Sequence, residues 1–283
     1  MLEFLKAVFF GIVEGITEWL PISSTGHMIL LNEFLKLDVS EEFYSLFQVV
    51  IQFGAILAVV ILFFKEIWPF GKKNNTAPLS DKGFGSYIKK DIFSLWFHII
   101  VACIPAIIVG VLFDDFFEAM FYNYITVAIM LILVGLAFIV IETVYKGRTA
   151  KINSAKEIDY KLAFIIGLFQ MIAAIFPGTS RSGAIIVGAL LFGISRVAAA
   201  EFAFYLAIPV MAGASLLKIV KFGFSFTATE LMILATGMVV AFIVSLFVIR
   251  FLMSYIKKHD FKVFGYYRII LGVVILLYAF LHG

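Results

Sequence analysis

Two polar segments interrupt an otherwise apolar chain, and the first of them carries a pair of acids. Glu14 and Glu18 are four residues apart, so on a helix both carboxylates lie on one face. Pro21 should end that helix shortly afterwards. His27 follows within the same segment. Ionisable groups at membrane depth cost about 2.5 to 3.5 kcal/mol each, so the two carboxylates need a partner or water. Arg181 and His27 are the candidates.

Hydroxyl-bearing and small residues follow this proline, at the point where a new helix should begin. The set comprises Ser23, Ser24, Thr25 and Gly26. A helix start presents free backbone N–H groups at the positive end of the helix dipole, which favours a bound phosphate. These residues are therefore predicted to bind phosphate.

The second polar segment repeats this order and adds a cation. After Pro177 it contains Thr179, Ser180, Arg181, Ser182 and Gly183. A guanidinium can hold two phosphate oxygens at once. We therefore predict a second phosphate-binding set made of Thr179, Ser180, Arg181 and Ser182.

Together the two segments offer the parts of a phosphoryl-transfer site. Such a site neutralises charge on the phosphoryl oxygens, positions a nucleophile and usually uses a divalent cation. Ser24, near His27 or Glu18, is the predicted nucleophile, and direct attack by water is the alternative. Glu14 and Glu18, with substrate phosphates, could bind Mg²⁺ or Ca²⁺, which prefer oxygen ligands. Hydrolysis of a phosphate ester or anhydride is the predicted reaction.

Helix packing is the simpler explanation of the small residues, because Gly, Ser and Thr allow close approach of membrane helices. Packing does not explain two carboxylates, a histidine and an arginine beside two proline breaks. The whole set favours a functional site.

Composition places the chain in a bilayer. Of its 283 residues, 63% are hydrophobic and only 14% are charged, and the mean hydropathy is +1.08, which excludes an ordinary soluble domain. The net charge of +3 is carried by loops beside apolar runs, so no nucleic acid is expected as a partner. We expect an all-α polytopic membrane protein.

Hydropathy predicts six crossings and two interrupted segments. The crossings are residues 46–64, 95–113, 124–142, 202–220, 231–250 and 266–282. Residues 4–31 and 162–194 are each cut by a proline, which predicts a helix, a break and a second helix. Three loops, residues 65–90, 146–161 and 250–268, hold 16 of the 22 Lys and Arg residues and should face the cytoplasm. The six crossings agree with this assignment only if both interrupted segments enter and leave on the same side, as re-entrant helical hairpins.

The chain also aligns with itself at an offset of 156 residues. The matched pairs are Gly11 with Gly167, Pro21 with Pro177, Ser24 with Ser180, and Glu14 with Gln170. We expect two repeats, residues 1–145 and 146–283, within one membrane domain. Each has one hairpin and three crossings, an odd number, so the second copy should be inverted. The two breaks should then meet near the midplane, where irregular backbone must be buried in protein or line a cavity.

The same residues carry a family resemblance. The segments VEGITEWLPISSTGH (13–27) and FPGTSRSGA (176–184), the second followed by GISRVAAAEFAFYLAIPVMAGA, resemble the BacA-type undecaprenyl pyrophosphate phosphatases over nearly the whole chain. The resemblance implies a hydrolase of the bacterial cytoplasmic membrane that recycles the cell-wall carrier lipid and confers bacitracin resistance. It also implies a divalent metal and a site open to the outer side.

Roles carried over by motif follow from this resemblance. Glu14 and Glu18 fill the acidic pair, Ser24 the nucleophile position and His27 the histidine. Ser180 and Arg181 fill the phosphate-binding pair. One departure is Ile185, where family members often have a hydroxyl residue. Ser182 or Thr179 would have to supply that contact.

A transporter or lipid flippase is the rival interpretation, because inverted repeats with broken helices also bind ions in secondary transporters. The same anion site could bind a phosphate that is merely moved. The expected partner is a membrane lipid, and a homodimer is left open.

Overall fold

The structure is a computed structural model that describes residues 2–72 and 75–282, and for Asp114, Asp115, Glu118 and His282 it describes the backbone alone. Within these ranges the regular structure is helical. The α-helices, in chain order, are α1 Leu2–Thr17, α2 Ser24–Phe34, α3 Glu41–Leu62, α4 Phe64–Ile67, α5 Lys90–Leu112, α6 Asp114–Phe121, α7 Tyr124–Val144, α8 Tyr160–Ile175, α9 Arg181–Leu191, α10 Arg196–Phe222, α11 Ala228–Ile256 and α12 Lys262–His282.

Among the described residues, six helices are long and apolar enough to span a membrane: α3, α5, α7, α10, α11 and α12. They confirm the six predicted crossings. Several begin earlier than hydropathy predicts, because polar caps extend them past the apolar run. In α3, for example, Ser40 accepts a hydrogen bond from the Phe43 backbone N–H, so the helix starts at Glu41 rather than at residue 46.

The two interrupted segments are each a helix, a break and a second helix, as predicted. α1 and α8 each have 16 residues, and α2 and α9 each have 11. Pro21 and Pro177 lie in the breaks, where the missing N–H of proline is tolerated.

Two of the three pairs of corresponding crossings, α3 with α10 and α7 with α12, pack against each other and run in opposite directions. In the pair α3 and α10, Phe43 contacts Phe222, and Phe63 contacts Phe204 near the other end. In α7 and α12, a Cβ on Gly135 would lie 2.7 Å from the carbonyl oxygen of Gly265. Opposite directions of corresponding crossings are what an inverted repeat predicts, and the repeat itself stays a prediction.

The first helix of each interrupted segment packs on a crossing of the opposite half. α1 lies on α11, where a Cβ on Gly11 would lie 2.7 Å from the carbonyl oxygen of Gly237, and α8 lies on α5, where Gly167 faces Ala102. The glycines matched in sequence therefore serve the same purpose, close contact between helix backbones.

Candidate active site

The helices after the two breaks both begin with a serine in an unusual backbone conformation. Ser23 has φ 73° and Ser180 has φ 67°, and among the described residues no other non-glycine residue has a positive φ. Each hydroxyl caps its helix, Ser23 by accepting from Gly26 N at 3.3 Å and Ser180 from Gly183 N at 3.2 Å. Such conformations cost about 1 to 3 kcal/mol each and concentrate at functional sites.

These caps correct the predicted repeat register. Ser23, not Ser24, occupies the position of Ser180, and Gly26 that of Gly183. The second break has two residues between proline and cap and the first has one, which an ungapped match cannot reveal. Ser24 and Arg181 are therefore counterparts, each the first residue of its helix.

Glu18 joins the two breaks. Its Oε2 accepts a hydrogen bond from Ser24 Oγ at 2.7 Å, and its Oε1 lies 3.1 Å from Arg181 Nη2. Its backbone carbonyl also accepts from Ser182 Oγ at 3.3 Å. The carboxylate is buried, so both polar partners contact it away from bulk solvent. Arg181 is thus confirmed as a partner of Glu18.

The Arg181 guanidinium has an N–H donor that Glu18 does not use. Nη1 donates to the carbonyl oxygen of Ala203 at 2.8 Å, while Nε is buried and has no hydrogen-bond partner among the described residues. Buried donors are normally paired. An anionic ligand beside Glu18 and Ser24 would provide the acceptor.

Glu14 is 1% exposed, and both of its carboxylate oxygens lack a hydrogen-bond partner among the described residues. A buried unpaired carboxylate is costly, so these oxygens suit a cation. The described residues contain no group of three or more His, Cys, Asp or Glu side chains arranged for a metal. Glu14 and Glu18 therefore fit a divalent ion only if other ligands, such as substrate oxygens, complete its coordination.

His27 contacts neither acid nor Ser24 by hydrogen bond. Its Nδ1 lies 2.7 Å from the carbonyl oxygen of Ser23 and its Nε2 lies 2.7 Å from the hydroxyl of Tyr267. A carbonyl only accepts, so Nδ1 carries a proton, and in the neutral ring Nε2 accepts from Tyr267. The prediction that His27 is a partner of the carboxylates was therefore wrong. The sequence analysis also missed Tyr267 as the partner of His27.

The remaining predicted phosphate contacts lie around the same helix starts. Thr179 is buried and its hydroxyl donates to Phe176 O at 2.7 Å. Ser182 is buried and its hydroxyl lies 3.2 Å from that of Ser180. Thr25 is half-buried at the first turn of α2. Ile185 is fully buried in the apolar core, so its side chain points away from solvent.

Arg268 is a second arginine of this region that the sequence analysis overlooked. It was counted with the cations of a cytoplasmic loop, but it lies inside α12 and is fully buried. Its guanidinium donates to backbone carbonyls of both breaks, at Pro21, Gly178 and Thr179. A charge inside the predicted crossing at residues 266–282 was the available signal.

Comparisons with known proteins give a consistent result. Residues 7–274 match the family described as bacitracin resistance protein BacA. An undecaprenyl-diphosphatase of Desulfitobacterium hafniense is 61% identical over 98% of this chain and 96% of its own length. Undecaprenyl-diphosphatase 1 of Clostridium acetobutylicum is 60% identical, and an undecaprenyl-diphosphatase of Enterococcus faecalis is 59% identical, each over 98% of this chain and 97% of its own length.

Proposed function

The chain belongs to the BacA family of bacitracin resistance proteins, and we infer that it is an undecaprenyl-diphosphatase, a membrane hydrolase acting on the diphosphate of the cell-wall carrier lipid. The observation that carries the catalytic assignment is the contact of Glu18 with both Ser24 and Arg181. It brings a hydroxyl nucleophile, a base and a phosphate-binding cation to one point.

We propose that Ser24 attacks the terminal phosphorus of the lipid diphosphate. Glu18 Oε2, 2.7 Å from Ser24 Oγ, accepts the hydroxyl proton as the new P–O bond forms. The bond between phosphorus and the bridging oxygen breaks, and the lipid monophosphate leaves. Water then attacks the phosphoserine and releases inorganic phosphate. Water activated by Glu18 is the alternative nucleophile.

Arg181 stabilises the transferred group in this scheme. Its unpaired Nε–H is available to phosphate oxygens, while its Nη2 contact to Glu18 fixes the plane of the guanidinium. The first-turn N–H groups of α2 and α9 add donors at the positive ends of two helix dipoles. The guanidinium and the helix N–H groups would stabilise the phosphoryl oxygens most strongly in the transition state, when negative charge builds on them.

We propose that Glu14 and Glu18 hold a divalent cation, Mg²⁺ or Ca²⁺, together with oxygens of the diphosphate. The unpartnered carboxylate of Glu14 supports this assignment. Such an ion would neutralise negative charge on the diphosphate, including the charge that builds on the departing lipid monophosphate.

We also propose that the protein lies in the bacterial cytoplasmic membrane with its site open to the outer side. The cation-rich loops follow α3, α7 and α11, which are the first, third and fifth crossings. If consecutive crossings run in opposite directions, these three loops lie on the same side of the membrane. Lys and Arg favour the cytoplasmic side. The N-terminus and the α2–α3 turn then lie outside.

Phosphate release by the purified protein tests the activity. With undecaprenyl diphosphate in detergent and Mg²⁺, we expect release of inorganic phosphate and accumulation of the lipid monophosphate. Intact diphosphate, together with its transfer between vesicle leaflets, would instead support a flippase.

A further inference from the structure

Arg268 makes an unusual set of contacts for a charged side chain. It is 0% exposed, and no carboxylate of the described residues forms a salt bridge with it. Its partners are backbone carbonyl oxygens. They are Leu131 O at 3.4 Å from Nε, Pro21 O at 3.1 Å from Nη1, and Met130 O at 3.4 Å, Gly178 O at 2.9 Å and Thr179 O at 2.9 Å from Nη2.

These carbonyls belong to three separate parts of the site. Pro21 lies in the first break, Gly178 and Thr179 in the second, and Met130 and Leu131 in α7. A planar guanidinium has five N–H donors in fixed directions and can hold all three parts together, whereas a lysine ammonium is a single point donor.

The hydrogen bond from Arg268 to Thr179 O bears on the backbone conformation of the next residue, Ser180. This oxygen belongs to the peptide group between Thr179 and Ser180, and rotation of that group about the Ser180 N–Cα bond is the φ angle of Ser180. Ser180 has φ 67°, which non-glycine residues rarely adopt. A donor that fixes Thr179 O therefore opposes relaxation of Ser180 to a negative φ.

Ser180 in turn determines where α9 begins. Its hydroxyl caps the helix at Gly183 N, and Arg181 is the next residue. Gly183 leaves room for this cap, because a Cβ there would lie 3.1 Å from Ser180 Cβ and 3.3 Å from Ser180 Oγ. The direction of the Arg181 side chain, and so its contact with Glu18, depends on this conformation.

We propose that Arg268 is a positioning residue, whose guanidinium holds the carbonyl groups of both breaks and thereby keeps Ser180 and Arg181 in the conformation that the catalytic site requires. The inference rests on the proposed function. It does not require contact between Arg268 and the substrate.

Arg268→Lys keeps the charge but loses the five-donor geometry. Its kcat per folded molecule should fall at least about tenfold with KM little changed, since a displacement of about 1 Å can cost roughly 100-fold. Arg196→Lys is the matched control, because Arg196 pairs with Glu142 away from the breaks. Its kcat per folded molecule should stay near that of the wild type. An equal kcat for Arg268→Lys and the wild type, with the wild type active, would overturn the inference and leave the function standing.

Substitutions at Ser180 give a second test that does not depend on Arg268→Lys folding well. Ser180→Gly and Ser180→Ala lose the same hydroxyl, but only glycine adopts a positive φ without strain. With Arg268 present the two should differ little in kcat. Each change is then combined with Arg268→Lys. The double variant with Ser180→Gly should have a kcat, or a folded yield, at least about ten times that of the double variant with Ser180→Ala. Equal values for the two combinations, folded or not, would contradict the proposal that Arg268 holds Ser180 in its positive-φ conformation. Absence of phosphate release by the wild type would instead contradict the proposed function.

Discussion

The Glu18 carboxylate lies 3.1 Å from the Arg181 guanidinium although 163 residues separate them in the chain. One side chain precedes the first break and the other follows the second. Neither half therefore has a complete site, because the acids and Ser24 come from one break and the phosphate-binding arginine comes from the other.

Ser24→Ala should abolish nearly all phosphate release, because Ser24 Oγ is the proposed nucleophile and is already hydrogen-bonded to Glu18. Steady-state hydrolysis of undecaprenyl diphosphate measures the effect. Ser245→Ala is a suitable control, since Ser245 is a buried hydroxyl of α11 without a hydrogen-bond partner among the described residues. Only a moderate fall for Ser24→Ala would favour direct attack by water.

Arg181→Ala should lower kcat/KM by about 100- to 1,000-fold, corresponding to roughly 2.7 to 4 kcal/mol for one donor to developing negative charge. The lost groups are the buried, unpaired Nε–H and the contact with Glu18. Kinetics on protein of verified folded yield would measure it. Near-normal turnover would remove Arg181 from the site.

Glu14→Gln should raise the Mg²⁺ concentration needed for half-maximal activity by about tenfold or more, since one carboxylate ligand contributes on the order of 1.4 kcal/mol or more to binding a divalent cation. A titration of phosphate release against Mg²⁺ after chelation would show the shift. The same midpoint in variant and wild type would contradict a metal role for Glu14.

Gly178→Ala should prevent normal folding of the second break. Gly178 has φ +90°, and a Cβ there would lie 2.5 Å from the carbonyl oxygen of Val127. We expect a loss of at least about 2 to 3 kcal/mol of stability from strain and overpacking. Thermal unfolding in detergent would measure it.

Gly213→Ala is the control for this change. Gly213 lies within α10, and a Cβ there meets nothing within 4 Å. Stability should stay the same or rise by up to about 1 kcal/mol, because alanine favours helix. Equal stability of the two variants would contradict the backbone contact at Gly178.

Much of this arrangement could be predicted from polar exceptions in an apolar sequence. Pro21 and Pro177 mark the breaks, and the cost of burying Glu18 predicts a cationic partner such as Arg181. These inferences need only local sequence and the known cost of charge in a bilayer.

Other features depend on three-dimensional contacts that no local pattern contains. The hydroxyl of Tyr267 reaches His27 across 240 residues, and Arg268 recognises backbone carbonyls, which every residue has. Because the breaks differ by one residue, Ser23 rather than Ser24 is the structural counterpart of Ser180. This correspondence becomes visible only through the backbone angles.

A double-mutant cycle between Glu18 and Arg181 tests the shared site most directly. We would measure kcat/KM for phosphate release from undecaprenyl diphosphate in the wild type, Glu18→Gln, Arg181→Gln and the double variant. If the two residues act as one unit, each single change should cost about 100-fold or more, and the double variant should lose little beyond the worse single variant. Fully multiplicative losses, or a wild type that releases no phosphate, would contradict the account.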